Sequence, residues 1–313
     1  METKEIKVSK KYDLLVVGGG SGGLAHAQRA AEYGVNVAVV EHGPLGGTCV
    51  NVGCVPKKVM WYAAHYAQEL KYAADYGYDV SVKGHDWAAL KSRRDAYIAR
   101  LNNIYETNLD KRGVTYIAGD AKFIDANTIA VGNERYQAER VVIATGGQPI
   151  VPSISGAELG ITSDGFFALE QQPRRVLIAG SGYVAVELAG VLNGLGSETK
   201  VIVRKDGVLR GFDKMLSSEL IDTMRKSGIE IKTGVVPASV RSTDNGLVLT
   251  AEDGREFGPV DTLLWAVGRS PNTATLDLDK AGVDMDERGF VPTDEMQSTN
   301  VEHIHALGDV TGR

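Results

Sequence analysis

Cys49 and Cys54 are the only cysteines among the 313 residues. They share one stretch, Gly46-Gly47-Thr48-Cys49-Val50-Asn51-Val52-Gly53-Cys54-Val55-Pro56-Lys57-Lys58. Two thiols separated by four residues can close a small loop and reopen it by thiol–disulfide exchange. That chemistry needs an electron source beside the pair and a setting that favours thiolate. The competing reading is a pair of buried thiols that only fill space. The glycines that flank each cysteine on its N-terminal side, Gly46-Gly47 and Gly53, and the lysines that follow the pair speak for redox use. A purely structural disulfide does not suit a reducing compartment.

An electron source is legible in two places. Gly18-x-Gly20-x-x-Gly23 follows an apolar run, Tyr12–Val17, and opens a helical stretch. Gly18 permits a tight turn, Gly20 lets a pyrophosphate approach the backbone, and Gly23 lets helix and strand pack closely. The helix N-terminus offers N–H donors and positive dipole to the phosphates. Glu41 ends the next strand, about 20 residues on, where a carboxylate accepts hydrogen bonds from a ribose diol. The second loop is Gly180-x-Gly182-x-x-Ala185, and the strand after it ends at Arg204. A carboxylate there would repel a 2′-phosphate, whereas an arginine fork binds it. Arg210 lies one short loop further and offers a second contact. The first site suits FAD and the second NADPH. The plain alternatives are a glycine-rich turn at the first and an ordinary surface charge at Arg204.

The stretch GGTCVNVGCVPKK resembles the redox-disulfide segment of the glutathione reductase branch of the flavoprotein disulfide reductases. GGGSGGLA, VVE, RDAYIARLNNIY, VVIATGG, GSGYVAVELAG, LLWAVGR and HIHALGD fall in the family's order. The resemblance implies that Cys54 is the thiol nearest the flavin and Cys49 the interchange thiol that attacks substrate. It implies that Lys57 and Glu187 pair beside flavin N5, that Tyr183 gates the nicotinamide, and that Asp309 binds the flavin's ribityl chain. The implied FAD site comprises Gly18, Gly20, Ser21, Gly22, Gly23, Glu41, Gly47, Thr48, Cys49, Lys57, Ala121, Thr145, Gly146 and Asp309. The implied NADPH site comprises Gly180, Gly182, Tyr183, Val184, Glu187, Arg204, Lys205, Arg210 and Gly268.

The implied reaction is NADPH + GSSG + H⁺ → NADP⁺ + 2 GSH. Ser21, Lys58, Tyr97 and Tyr105 match glutathione-contacting positions. Reductases of the cationic disulfide trypanothione also carry VPKK, but use an acid, a tryptophan and a methionine where this chain has Ala25, Gln28 and Asn108, with Ile104 nearby. Gln28 also replaces an arginine that some glutathione reductases use for a substrate carboxylate. A thioredoxin-type reductase and a non-catalytic flavin-binding module remain the other readings. The family's catalytic acid is a histidine of a partner subunit's interface domain. His26, His42, His65, His85, His303 and His305 do not stand in that context or at metal-ligand spacing, so no metal site is expected. The expected chain is therefore C-terminally truncated, without the interface domain through which the full-length protein would form a homodimer.

These groups need a scaffold, and strand, glycine turn, helix and strand recur twice. The expected fold is α/β, with two doubly wound Rossmann-like domains. Boundaries are expected at 1–148 for the FAD domain, 149–271 for the NADPH domain, and 272–313 for a return to the FAD domain and the start of a central domain. Helices are expected over 24–33, 55–76 and 86–112. Strands are expected over 114–124, 127–131, 136–144, 289–293 and 303–307. Hydrophobic residues make up 43% and the net charge is −6. That balance gives no electrostatic reason to bind nucleic acid or an anionic membrane. No apolar run approaches a membrane span, and the charged N-terminus METKEIKVSKKYDLL lacks a secretory h-region. A cytoplasmic address is expected.

Overall fold

The apolar strand β1 (Lys10–Val17) runs through a glycine turn into α1 (Ser21–Ala31), and β2 (Val37–Glu41) returns parallel to β1. The structure, a computed structural model, describes residues 10–313; the first nine residues of the charged N-terminus lie outside it. Packing divides the chain into two units. Among the described residues one holds 10–51, 98–148 and 269–313, and the other holds 52–97 and 149–268.

In the first unit the sheet order is β3 (Thr115–Ala118), β2, β1, β6 (Glu134–Ile143), β5 (Thr128–Val131), β4 (Ala121–Asp125), with β16 (Ile304–Ala306) on β6. The pairings among β3, β2, β1, β6 and β16 are parallel, and β4–β5–β6 is antiparallel. Leu14, Leu15, Val16 and Val17 are all buried. A strand covered on both faces reads as a continuous apolar run, without alternation. The stretch expected as one strand over 114–124 is two, broken at Gly119, whose φ of 141° suits glycine. The apolar run 289–293 is not a strand. Asp286 Oδ1 takes the N–H groups of Arg288 and Phe290, which bends the backbone away from a ladder, while Val291 still plugs the core.

Helix α2 (Gly47–Asn51) carries Cys49, and Cys54 opens α3 (Cys54–Tyr72). A turn of 3₁₀ helix follows, closed by Gly77 at φ 81°. Helix α4 (Trp87–Lys111) then spans the division between the units. The sequence reading grouped 52–97 with the first domain, but by packing this segment belongs with the second unit. The cause is α3. Met60, Ala64 and Trp87 share a core with Val176, Ile178 and Leu188.

The second unit repeats the pattern with β8 (Arg175–Ala179), α6 (Tyr183–Gly194) and β9 (Glu198–Ile202), in parallel order β10 (Glu230–Lys232), β9, β8, β14 (Thr262–Trp265). An antiparallel sheet, β11 (Pro237–Thr243), β12 (Gly246–Ala251) and β13 (Glu256–Val260), adds a second layer. Short β7 (Gly147–Pro149) pairs with β15 (Arg269–Pro271). Helix α5 (Ser163–Ala168) contributes Phe166 and Phe167 to the core. Helix α7 (Lys214–Lys226), capped by Asp213, lies before β10. Gly194 lets α6 approach α3, since a Cβ there would meet Ala64 Cβ at 2.8 Å.

Candidate redox and dinucleotide site

The first glycine loop is shaped as a cradle. Gly18 has φ 111°, and a Cβ there would overlap the Ala144 carbonyl. A Cβ on Gly23 would overlap the Gly18 carbonyl, so α1 can start only where that side chain is missing. Gly20 is the N-cap of α1 and supplies no capping side chain. The first-turn N–H groups are therefore open to an outside anion. Exposed Ser21 and Gly22 stand in that turn. At the end of β2, Glu41 Oε2 accepts from Gly19 N–H at 2.7 Å and Oε1 from Gly43 N–H at 2.8 Å. The carboxylate is thus held against the loop before any ribose arrives. These residues fit a dinucleotide.

The turn bearing Cys49 sits on the same loop. Gly46 N–H donates to Gly19 O at 2.8 Å, and a Cβ on Gly47 would come within 2.7 Å of Gly20 Cα. Thr48 and half-buried Cys49 lie in α2, and Cys54 is exposed at the start of α3. Around the loop after β6, Thr145 Oγ1 donates to Asn272 O at 2.8 Å, and Asn272 N–H to Gly146 O at 3.0 Å. Arg269 donates to Gly147 O and lies 3.6 Å from Asp309 Oδ2, which is otherwise exposed. Ala121 is buried where β4 begins. Asn102, Arg269 and Asn272 were not singled out from the sequence. Their contacts join distant segments, and none falls within a glycine fingerprint.

In the second unit Gly180 stands at φ 153°, where a Cβ would overlap Ala266 O. A Cβ on Gly182, by contrast, would meet nothing within 4 Å. Gly182 is the N-cap of α6 with no capping side chain, and Tyr183 and Val184 begin the helix. Tyr183 is exposed. This is again an open phosphate cradle. Leu209 N–H donates to Ser181 O at 2.7 Å, which ties the loop bearing Arg210 to the glycine turn. Arg204, Lys205 and Arg210 are exposed, and Gly268 follows β14 at φ 142°. Lys57 Nζ reaches Glu187 Oε1 at 2.7 Å, joining α3 to α6 inside this unit. A cavity of 640 Å³ opens beside the pair, with Lys58, Trp61, His65, Val186 and Met224 among its walls.

The model of the pyridine nucleotide-disulphide oxidoreductase family matches residues 12–313. The chain belongs to this family. The glutathione reductase of Yarrowia lipolytica (strain CLIB 122 / E 150) is 46% identical over 324 residues, covering 96% of this chain and 68% of that protein. That of Schizosaccharomyces pombe (strain 972 / ATCC 24843) is 48% identical over 317 residues, covering 98% and 68%. The chain thus spans about two thirds of these relatives' length. Among solved structures, a Cu(II) complex of the HOCl-induced flavoprotein disulfide reductase RclA from Escherichia coli superposes at TM-score 0.86. It is 29% identical and covers 97% of this chain and 67% of that one. The α/β fold expected from the two glycine loops is the oxidoreductase fold. With membership go the expected cofactors, FAD and NADPH.

The positions expected to touch substrate are spread along the oxidoreductase chain. Ser21 and Lys58 are exposed, Tyr97 is 45% exposed, and Tyr105 is half-buried against the core of the first unit. No cluster of metal-ligating residues occurs among the described residues, and no helix there is long and apolar enough to cross a membrane.

Proposed function

We propose that this chain carries out NADPH-dependent reduction of glutathione disulfide through Cys49 and Cys54. The observation that carries the reading is the seating of the Gly46–Gly47 turn on the Gly19–Gly20 backbone, directly before Cys49. A redox dithiol and a dinucleotide loop become one piece of backbone. Glutathione reductases at 46% and 48% identity supply the substrate class.

NADPH and FAD, held by the two glycine loops, would supply the hydride and two-electron chemistry that reduces the disulfide of Cys49 and Cys54. Everything else falls to the chain. The cradle at Gly18, Gly20, Ser21, Gly22 and Gly23 with Glu41 holds the FAD phosphates and ribose. Gly47, Thr48, Ala121, Thr145, Gly146 and Asp309 complete that site. Gly180, Gly182, Val184 and Gly268 shape the NADPH site, and Arg204, Lys205 and Arg210 bind its 2′-phosphate. Tyr183 covers the nicotinamide position, and the Lys57–Glu187 pair fixes a positive charge beside the reacting ring. The Cys49 thiolate then attacks one sulfur of glutathione disulfide. The substrate S–S bond breaks, and glutathione leaves with a proton from a general acid. Cys54 next attacks the Cys49 sulfur, freeing the second glutathione and closing the protein disulfide. Residues 1–148 with 272–313 serve the flavin, and 149–271 serve NADPH. The protein acts as a homodimer in a reducing, cytoplasmic setting, where a reactive dithiol stays functional.

The test is anaerobic NADPH titration of the FAD-loaded protein, followed by glutathione disulfide. Expected are flavin bleaching, a long-wavelength thiolate band that Cys54→Ser abolishes, and turnover lost in Cys49→Ser. A flavin that stays oxidised would support the non-catalytic module instead. Turnover of a cationic disulfide in preference to glutathione disulfide would support the trypanothione reading.

A further inference from the structure

Asn102 lies on α4, outside the glycine loops and the cysteine stretch, yet its side chain reaches the redox turn. Its Nδ2 donates to Leu45 O at 2.7 Å and to Asn51 Oδ1 at 3.0 Å. Both N–H groups of the amide are thereby spent. Asn51, so oriented, turns its own Nδ2 onto Gly47 O at 2.9 Å, Pro44 O at 3.1 Å and Leu45 O at 3.3 Å. Asn51 is the last residue of the five-residue α2, two positions after Cys49. A helix that short cannot hold itself in place, since isolated helices under about 12 residues are marginal. Its direction must come from outside contacts. At its start the Gly46–Gly19 bond anchors it, and at its end the two asparagines do. Asn102 stands on a rigid base, because Leu109, two turns further along α4, is fully buried and Tyr105 packs on the same core.

We propose that Asn102 is a positioning residue for Cys49. Through Asn51 it sets how α2 leaves the dinucleotide loop, and with it the approach of the interchange sulfur to a substrate disulfide. The inference rests on the reading of Cys49 as the interchange thiol. It assigns no contact between Asn102 and substrate or cofactor.

The test uses the FAD-loaded protein, with Asn102→Asp and Asn102→Ala. The aspartate is nearly isosteric but sets a carboxylate against two acceptors, and the alanine removes the amide. Three quantities are measured: NADPH–ferricyanide turnover per bound flavin, kcat and KM for glutathione disulfide, and the rate at which iodoacetamide alkylates Cys49 in NADPH-reduced protein. Mispositioning of about 1 Å can cost up to about a hundredfold in rate. The expected result is a fall of about tenfold or more in kcat for the disulfide, with ferricyanide turnover and KM for NADPH within about twofold of the unmodified protein. Cys49 alkylation should change by at least about threefold. Disulfide turnover and alkylation unchanged in both variants would overturn the proposal. So would flavin content and both turnovers falling in parallel, which marks a merely structural bond. If the unmodified protein fails to turn over glutathione disulfide, the functional reading fails, and the alkylation rates still decide the role of Asn102.

Discussion

Lys57 Nζ lies 2.7 Å from Glu187 Oε1, and the contact joins the helix that begins at Cys54 to the helix that begins at the second glycine loop. The lysine side chain is 22% exposed and the glutamate 40%. Water screens the pair only in part, so its loss should be felt. Lys57→Met leaves the Glu187 charge without its cation. A hydrogen bond to a charged group contributes about 1.5–3 kcal/mol, less where solvent reaches it. NADPH–ferricyanide turnover per flavin should fall about tenfold, and Lys57→Arg should recover part of it. An unchanged rate in Lys57→Met would show the pair to be incidental to electron transfer.

The Leu209–Ser181 bond ties the loop bearing Arg210 to the second glycine turn, and both Arg210 and Arg204 are exposed. Replacing both arginines by glutamine should lower kcat/KM for NADPH by about tenfold to a hundredfold, the value of one or two charge-assisted bonds. NADH has no 2′-phosphate, and its kcat/KM should stay within about threefold. The ratio of the two constants, measured on one preparation, checks the assignment. Equal losses with both nucleotides would point to a damaged fold rather than a phosphate contact.

Two helical glycines should respond with opposite signs. A Cβ on Gly23 would overlap the Gly18 carbonyl, so Gly23→Ala should cost about 1–3 kcal/mol and reduce retained FAD. A Cβ on Gly190, inside α6, would meet nothing within 4 Å. Gly190→Ala should raise stability by about 0.5–1 kcal/mol through reduced freedom of the unfolded chain. Denaturant midpoints and the flavin-to-protein absorbance ratio test both. A stabilised Gly23→Ala protein would contradict the cradle geometry.

Asp261 clamps the start of β8, where its Oδ2 accepts from Arg174 and Arg175 N–H and its Oδ1 from the Arg175 guanidinium. The Arg175 side-chain bond holds the Asp261 carboxyl below the usual carboxylate value of 3.8, against a smaller opposing effect of burial. A depressed folded value means that this stability is fully present above about pH 4. It is lost as pH falls through the lower folded value. Asp261→Asn should cost about 1 kcal/mol at pH 7, given partial exposure. It should also flatten the loss of stability below pH 4. Parallel pH profiles for variant and parent would count against the clamp.

Sequence alone was sufficient for the parts of this protein whose signal is local. The glycine loops announce themselves because the requirement at each position is steric and acts over a few residues. Gly18 needs a positive φ, and Gly23 needs no side chain at all. Glu41 was placed by strand length, and Cys49 and Cys54 by spacing. The tertiary structure decided what depends on packing across long intervals. The run 289–293 is apolar because Val291 fills a core, and apolarity reports burial, not strand pairing. Residues 52–97 follow the first glycine unit in sequence, yet pack with the second because Gly194 admits Ala64. Asn102 stands inside RDAYIARLNNIY, but its role there could not be read, since a side-chain amide bonded to a carbonyl 57 positions away leaves no period along the chain. Local sterics can be read along a chain, whereas a hydrogen bond between distant segments exists only once the core has brought them together.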